Sequence, residues 1–243
     1  MKKSFYDDLE FSYLDYWKGR QYEHKSEIIA ISTLLGTTTY GVIVDIGGGF
    51  GRISKLLAKY AKQTILVEPA LKQRAIAKEH LKGIPGVIIK PGTAEVTKLE
   101  DKSVDVAVLV RVMHHLPDPD LALQEVHRIL KDNGIAIIEF ANSLNLKSRI
   151  SSLISGKPIL PAPIDKRRLV NIRKNTIPFV NHHPISFQKT LKRNGFAILK
   201  MLSVSNLRGL PIKSLRLEKF LQPLLAGLFF GPSIFILAKK TNL

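Results

Sequence analysis

The stretch Val42-Ile43-Val44-Asp45-Ile46-Gly47-Gly48-Gly49-Phe50-Gly51-Arg52 restricts the fold more than any other part of the chain. Apolar and β-branched residues lead into an acid, then into glycines, then into Ile53-Ser54-Lys55-Leu56-Leu57. The pattern reads as a buried strand, a tight turn and a helix over 51–60. In α/β folds such a turn sits where a nucleotide-like ligand binds. Glycine lets the backbone approach closely, and the helix start leaves N–H groups free. The spacing is acid-x-Gly-x-Gly-x-Gly, through Asp45, Gly47, Gly49 and Gly51. A dinucleotide fingerprint begun at Gly47 needs Gly or Ala at position 52, where this chain has Arg52. That fit is poor; a tight turn with no ligand is the bland alternative. A second strand, over 64–68, ends in Glu68, seventeen residues past Gly51. An acid there accepts hydrogen bonds from ribose hydroxyls, so the pair of strands points to a nucleoside without saying which.

Three further segments follow in order. They are Gly92-Thr93-Ala94-Glu95, the run 104–116 ending in Arg111-Val112-Met113-His114-His115-Leu116, and residues 123–134. With the glycine turn and Glu68, the set resembles the class I S-adenosylmethionine (SAM)-dependent methyltransferases, specifically the small-molecule group called methyltransferase type 11. The resemblance is strong over 40–140 and looser beyond. It implies an α/β, Rossmann-like fold: a seven-stranded, mostly parallel sheet whose last strand runs antiparallel between strands five and six. Helices would cover both faces, with an N-terminal lid and an insertion after strand five. It implies SAM as cofactor and S-adenosyl-L-homocysteine as product. By the same resemblance Asp45 would orient the cofactor through the loop and its amine, while Gly47, Gly49 and Gly51 let it approach. Glu68 would hold the ribose hydroxyls, Thr93, Ala94 and Glu95 would lie at the adenine, and Arg111 would meet the methionine end through side chain or backbone. The acceptor is not implied.

Charge narrows the acceptor. The net charge is +17, yet residues 1–140 hold 19 Lys/Arg against 18 Asp/Glu. Residues 141–243 hold 18 Lys/Arg and only two acids, Asp165 and Glu218. Such a half suits an acidic partner: a phosphorylated or carboxylated molecule, an anionic membrane surface or nucleic acid. A solvated lysine-rich surface is the alternative. With no cysteine, attack of a thiolate on a pyrimidine is excluded, as are disulfides and Cys–Zn sites. The tetrapeptide that grips a flipped base is missing, and so is any zinc-finger or aromatic RNA signature. The first reading is therefore methyl transfer to a small or lipid-like, anionic acceptor. Nucleic-acid methylation is second; a non-catalytic SAM-binding module and an NAD-dependent oxidoreductase are the remaining rivals.

The expected organisation is a single methyltransferase domain over 1–243. Residues 1–36 form an N-terminal lid and helix, 37–140 the SAM-binding core, 141–184 a substrate-cap insertion, and 185–243 the end of the sheet with a basic, apolar helix at 210–230. The aromatics Phe5, Tyr6, Phe11, Tyr13, Tyr16 and Trp17 either wall the site or pack the segment down. Arg20 either meets an acidic ligand or pairs with a nearby acid. A helix over 120–130 should bury Leu121, Ala122, Val126, Ile129 and Leu130, with Asp118 or Asp120 capping it and Asn133-Gly134 ending it. His115 is a candidate general base, its pKa near neutral suiting proton removal, against a structural role. His183, beside His182, is the second candidate. Adjacent histidines diverge and no acid or Cys cluster joins them, so no metal is expected. Two N-terminal lysines lack a following apolar run, so no secretory signal is expected. The expected location is the cytoplasm, with a peripheral membrane contact left open. The run 224–237 is shorter than the roughly twenty residues of a span. A surface helix with Lys213, Arg216 and Lys219 on anionic headgroups stands beside an ordinary packed helix.

Overall fold

The computed structural model describes residues 13–173 and 176–242. Phe5, Tyr6 and Phe11 lie outside the described residues. In chain order the elements are α1 (Tyr13–Trp17), α2 (Gln21–Leu35), β1 (Tyr40–Ile46), α3 (Ser54–Leu57), β2 (Ala61–Val67), α4 (Leu71–His80), β3 (Val87–Lys90) and β4 (Val104–Leu109). Then come α5 (Asp120–Ile129), β5 (Leu130–Ala141), α6 (Leu146–Ser155), β6 (Ile164–Asp165), α7 (Leu169–Arg173) and β7 (Val180–Asn181). The chain continues with α8 (Pro184–Arg193), β8 (Phe196–Val204), α9 (Leu215–Leu224) and β9 (Ser233–Lys240).

Seven strands form one sheet in the order β3-β2-β1-β4-β5-β9-β8. Strands β1 to β5 pair parallel, and β9 runs antiparallel to both neighbours, β5 and β8. The fold class is the one expected from the motifs. The central strands are apolar on both faces because both faces are covered. Ala107 and Leu109 pack with α5 and α8 on one face, where Leu123, Val126 and Phe187 are buried. Val106 and Val108 pack on the other, against Ile31 and Leu34 of α2 and Leu57 of α3. Each such fully buried side chain contributes about 1.5–3 kcal/mol relative to exposure.

Several boundaries differ from the sequence expectation. The helix expected over 51–60 is only the four residues Ser54–Leu57, because β2 begins at Ala61 to pair with β1 from Tyr40 onward. Leu121 is 66% exposed; Leu123 takes the buried position instead. Asn133-Gly134 does not end α5. It lies within β5, where Asn133 takes a φ of 64° beside a register shift opposite Val104–Val106. Asp118 Oδ1 accepts from the Asp120 amide before α5, and Asp120 instead holds Arg193. The apolar run after 210 holds only a ten-residue helix, α9, and no described helix is long and apolar enough to cross a membrane. Between α6 and α8 the chain makes a two-stranded ribbon, β6 with β7. Its return is tied to the end of β5 by His182 N–H donating to Ala141 O (2.8 Å) and Ser143 N–H donating to His182 O (3.0 Å).

Candidate active site

The C-terminal ends of β1, β2 and β4 and the turn after β3 surround a cavity of about 260 Å³. Gly47, Gly49, Glu68, Thr93, Ala94, Glu95, Arg111 and His115 all line it, so eight expected site residues are brought together. This is where open α/β sheets place ligands. Gly47 needs its residue type twice over: its φ is 68°, and a Cβ would stand 2.6 Å from Val112 Cγ2. Its amide is held by Val67 O at 2.7 Å, which ties the turn to β2.

Asp45, Gly51 and His183 stand elsewhere. Asp45 is 1% exposed beneath the turn and accepts from Ser54 Oγ at 2.6 Å. Burial pushes its pKa up to about 6. It shapes the loop from below and does not line the cavity. Gly51 also misses the cavity, because Leu81 packs where its Cβ would be (2.5 Å). His183 precedes α8 and lines a separate pocket of about 170 Å³ with Pro163 and Arg193. The second acid–base candidate is therefore not beside the cofactor-type cavity.

Glu68 is 4% exposed. Its Oε2 accepts from the Gly49 amide (3.0 Å) and its Oε1 from the Ala70 amide (2.8 Å). Burial outweighs both bonds and lifts its pKa to about 7. Gln73, from α4, is 1% exposed and lines the same cavity, yet neither its Oε1 nor its Nε2 has a partner. Buried amides are almost always paired, so an orphan here points to a polar ligand. A carboxylate and an amide at the end of β2 suit the hydroxyls and ring edge of a nucleoside. The residues fit such a cofactor. Gln73 was not singled out in the sequence, where it reads as one more polar helix residue.

A second chamber of about 410 Å³ adjoins the first, sharing Tyr13, Arg111, His115 and Ile177 with it. Tyr16, His114, Arg167, Asn171, Thr176 and Phe179 complete its lining. His115 Nδ1 lies 2.8 Å from Pro178 O; a carbonyl only accepts, so Nδ1 carries the proton and Nε2 the lone pair. Burial lowers the pKa of His115 and lowers that of His114 far more, so both imidazoles are neutral. His114 makes no hydrogen bond among the described residues and packs against His115 and Phe179.

An ionic knot closes the first chamber on the α1 side. Glu27 is fully buried and takes Arg52 on Oε2 (2.7 Å) and Arg111 on Oε1 (2.6 Å). Burial alone would raise its pKa, but the two guanidiniums overcome this and hold it low. Arg52 also stacks on Trp17, 3.7 Å from the ring centroid, which is why an arginine follows the glycine turn. Arg111 takes a φ of 64°, and its amide donates to Glu139 at 2.8 Å. Arg20 stacks on Tyr16 and lies 3.9 Å from Glu23, the nearby-acid arrangement. No group of three or more potential metal ligands occurs among the described residues.

Residues 44–138 match the family model described as a methyltransferase domain. This stretch has the sequence of a methyltransferase domain, and it runs from strand β1 to strand β5 of the sheet described above. A ubiquinone/menaquinone biosynthesis C-methyltransferase of Rubrivivax gelatinosus is 33% identical over 92 residues, covering 38% of this chain and 36% of that protein. A ubiquinone biosynthesis O-methyltransferase of Pelagibacter ubique is 29% identical over 119 residues, covering 49% of each. The matches thus span half or less of these curated relatives. A crystal structure from Thermotoga maritima, titled as a SAM-dependent methyltransferase and possible histamine N-methyltransferase, superposes with a TM-score of 0.70. It covers 97% of this chain and 98% of that one at 23% identity, a likeness of fold alone. The cofactor of such methyltransferases is SAM.

Proposed function

We propose that the chain transfers a methyl group from SAM to a small or lipid-like, anionic acceptor. The observation that carries this reading is the join between the two chambers, one lined by Glu68 and Gln73, the other by aromatic and cationic side chains. Bound SAM supplies a methyl already activated on a sulfonium, so catalysis can rest on positioning. Glu68 and Gln73 would hold the nucleoside, with Glu95 and Ala94 at its base. Asp45 and Ser54 keep the turn in shape. Tyr13, Tyr16 and Phe179 would exclude water and pack an apolar acceptor. Arg111 would favour its anionic group; Arg111 Nη1 makes no hydrogen bond among the described residues. A proton released from the acceptor would go to a neutral imidazole, His115 at its Nε2 or His114 beside it. The quinone-biosynthesis names of two relatives support a small-molecule acceptor. The chain would work in the cytoplasm, in peripheral contact with an anionic membrane.

The test is calorimetric titration of the full chain with S-adenosylhomocysteine, with NADH in a parallel cell and Glu68→Ala as control. Micromolar binding lost in the variant is expected. No binding, or preference for NADH, would sink the reading. Incubation with methyl-labelled SAM and fractionated cell extract then assigns the acceptor class: label is expected in the small-molecule or lipid fraction, and label in RNA would overturn that class.

A further inference from the structure

Two helices of the basic half are built inside-out. In α6 only Ser148 and Ser152 are half-buried, while Leu146, Ile150, Leu153 and Ile154 are 41–85% exposed. Those four sit at i, i+4, i+7 and i+8, a single helical face. Not one residue of α6 is buried. In α9 the buried residues are Glu218 and Gln222, while Leu217, Phe220 and Leu224 point to solvent. Glu218 accepts from Tyr22 Oη (2.6 Å) and from the amides of Ser205 and Asn206; Gln222 Nε2 donates to Ser26 O (2.9 Å). The inward polar face of α9 is thus held by hydrogen bonds, with only Gln222 Oε1 unpartnered, so its apolar side chains are turned outward by specific contacts. The start of α6 is tied to the segment that follows α9: Leu146 N–H donates to Phe230 O (3.0 Å) and Arg149 Nη2 to Leu228 O (2.5 Å).

Charge decides what covers this surface. Both acids of residues 141–243 are spent internally: Glu218 is fully buried, and Asp165 is held bidentately by Arg167. Among the described residues the exterior of this half therefore offers no unpaired carboxylate, with Lys147, Arg149, Arg216 and Lys219 exposed beside the aliphatics. A second copy of the chain would bring like charges together. An anionic bilayer answers both features, since apolar side chains enter the headgroup boundary while Lys and Arg meet lipid phosphates. The α6–β7 segment also carries Arg167, Asn171 and Phe179, which line the second chamber.

We infer that α6 and the exposed face of α9 form a docking surface for an anionic phospholipid bilayer, which sets the acceptor chamber beside the membrane. The inference deepens the proposed function and rests on its membrane contact. The test is flotation of the full chain with vesicles of phosphatidylcholine alone or with phosphatidylglycerol, at fixed salt, for wild type, Ile154→Ser/Phe220→Ser and Arg216→Gln/Lys219→Gln. Circular dichroism and S-adenosylhomocysteine affinity are read on the same preparations. Wild type should bind the anionic vesicles at least tenfold more tightly than the neutral ones. Each double variant should lose tenfold or more while retaining its fold and nucleoside affinity. Absence of vesicle binding, or equal binding by all variants, overturns the inference. So does a wild-type dimer that the apolar variant converts to monomer, or tight RNA binding without vesicle binding. If vesicles bind but S-adenosylhomocysteine does not, the methyltransferase reading fails while the docking surface stands.

Discussion

Glu68 should make the unliganded protein less stable as pH rises, and its amide isostere should remove that effect. The carboxyl is 4% exposed and its pKa is raised from 4.5 to about 7 by burial. Between those values the folded state holds a proton that the unfolded chain has released. Stability contributed by the protonated form is therefore fully present below pH 4.5 and is lost as pH rises through 7. The shift from 4.5 to about 7 corresponds to ~3 kcal/mol at ~1.36 kcal/mol per unit. Glutamine copies the protonated acid, so Glu68→Gln should match wild type near pH 4.5 and exceed it by ~3 kcal/mol at pH 8.5. Urea unfolding across pH 4.5–8.5 without cofactor measures this. Asp45, also raised by burial, bends both curves, so their difference isolates Glu68. Curves that stay parallel across the range would refute the reasoning. In the proposed site the ionised carboxylate would accept ribose hydroxyls more strongly than the neutral acid. Wild-type affinity for S-adenosylhomocysteine should thus rise about tenfold per unit between pH 5 and 7, and that dependence should vanish in the variant.

The orphan amide of Gln73 should matter to ligand and not to fold. Gln73→Met should keep or raise the melting temperature while weakening S-adenosylhomocysteine roughly 5–30-fold in calorimetry, the range of one or two lost hydrogen bonds. Replacing Glu27 by Gln should behave oppositely. It leaves Arg52 and Arg111 without their buried counter-charge and should cost about 3 kcal/mol in urea unfolding at pH 7. Because the folded pKa of Glu27 is depressed, that stability is present above its unfolded value near 4.5 and is lost as pH falls below it. The wild-type advantage over the variant should therefore shrink in acid.

Strands β1, β2 and β4, the glycine turn and Glu68 were legible in the sequence because each is governed by neighbours along the chain. A doubly buried strand must be continuously apolar, and a turn with φ above zero needs glycine at Gly47. The motif order carried the sheet and the ring of cavity residues. What the chain order could not carry was side-chain direction. Asp45 looks like a ligand-facing acid and instead supports the loop through Ser54. Gln73 looks like solvent-facing polarity and is instead buried, unpaired and at the cavity beside Glu68 and Pro69. Glu27 reads as a surface helix acid; only the approach of Arg52 and Arg111, 25 and 84 residues away, makes it the centre of a buried knot. The sequence left the 210–230 helix open between a surface helix and a packed one; the aliphatics of α9 lie outside because Tyr22, Ser26 and the 203–206 turn claim its polar face. Local pattern determined most of the strands of the sheet and the residues that ring the first cavity. Tertiary contact alone decided which face of each element meets the protein, since that depends on partners far away in sequence.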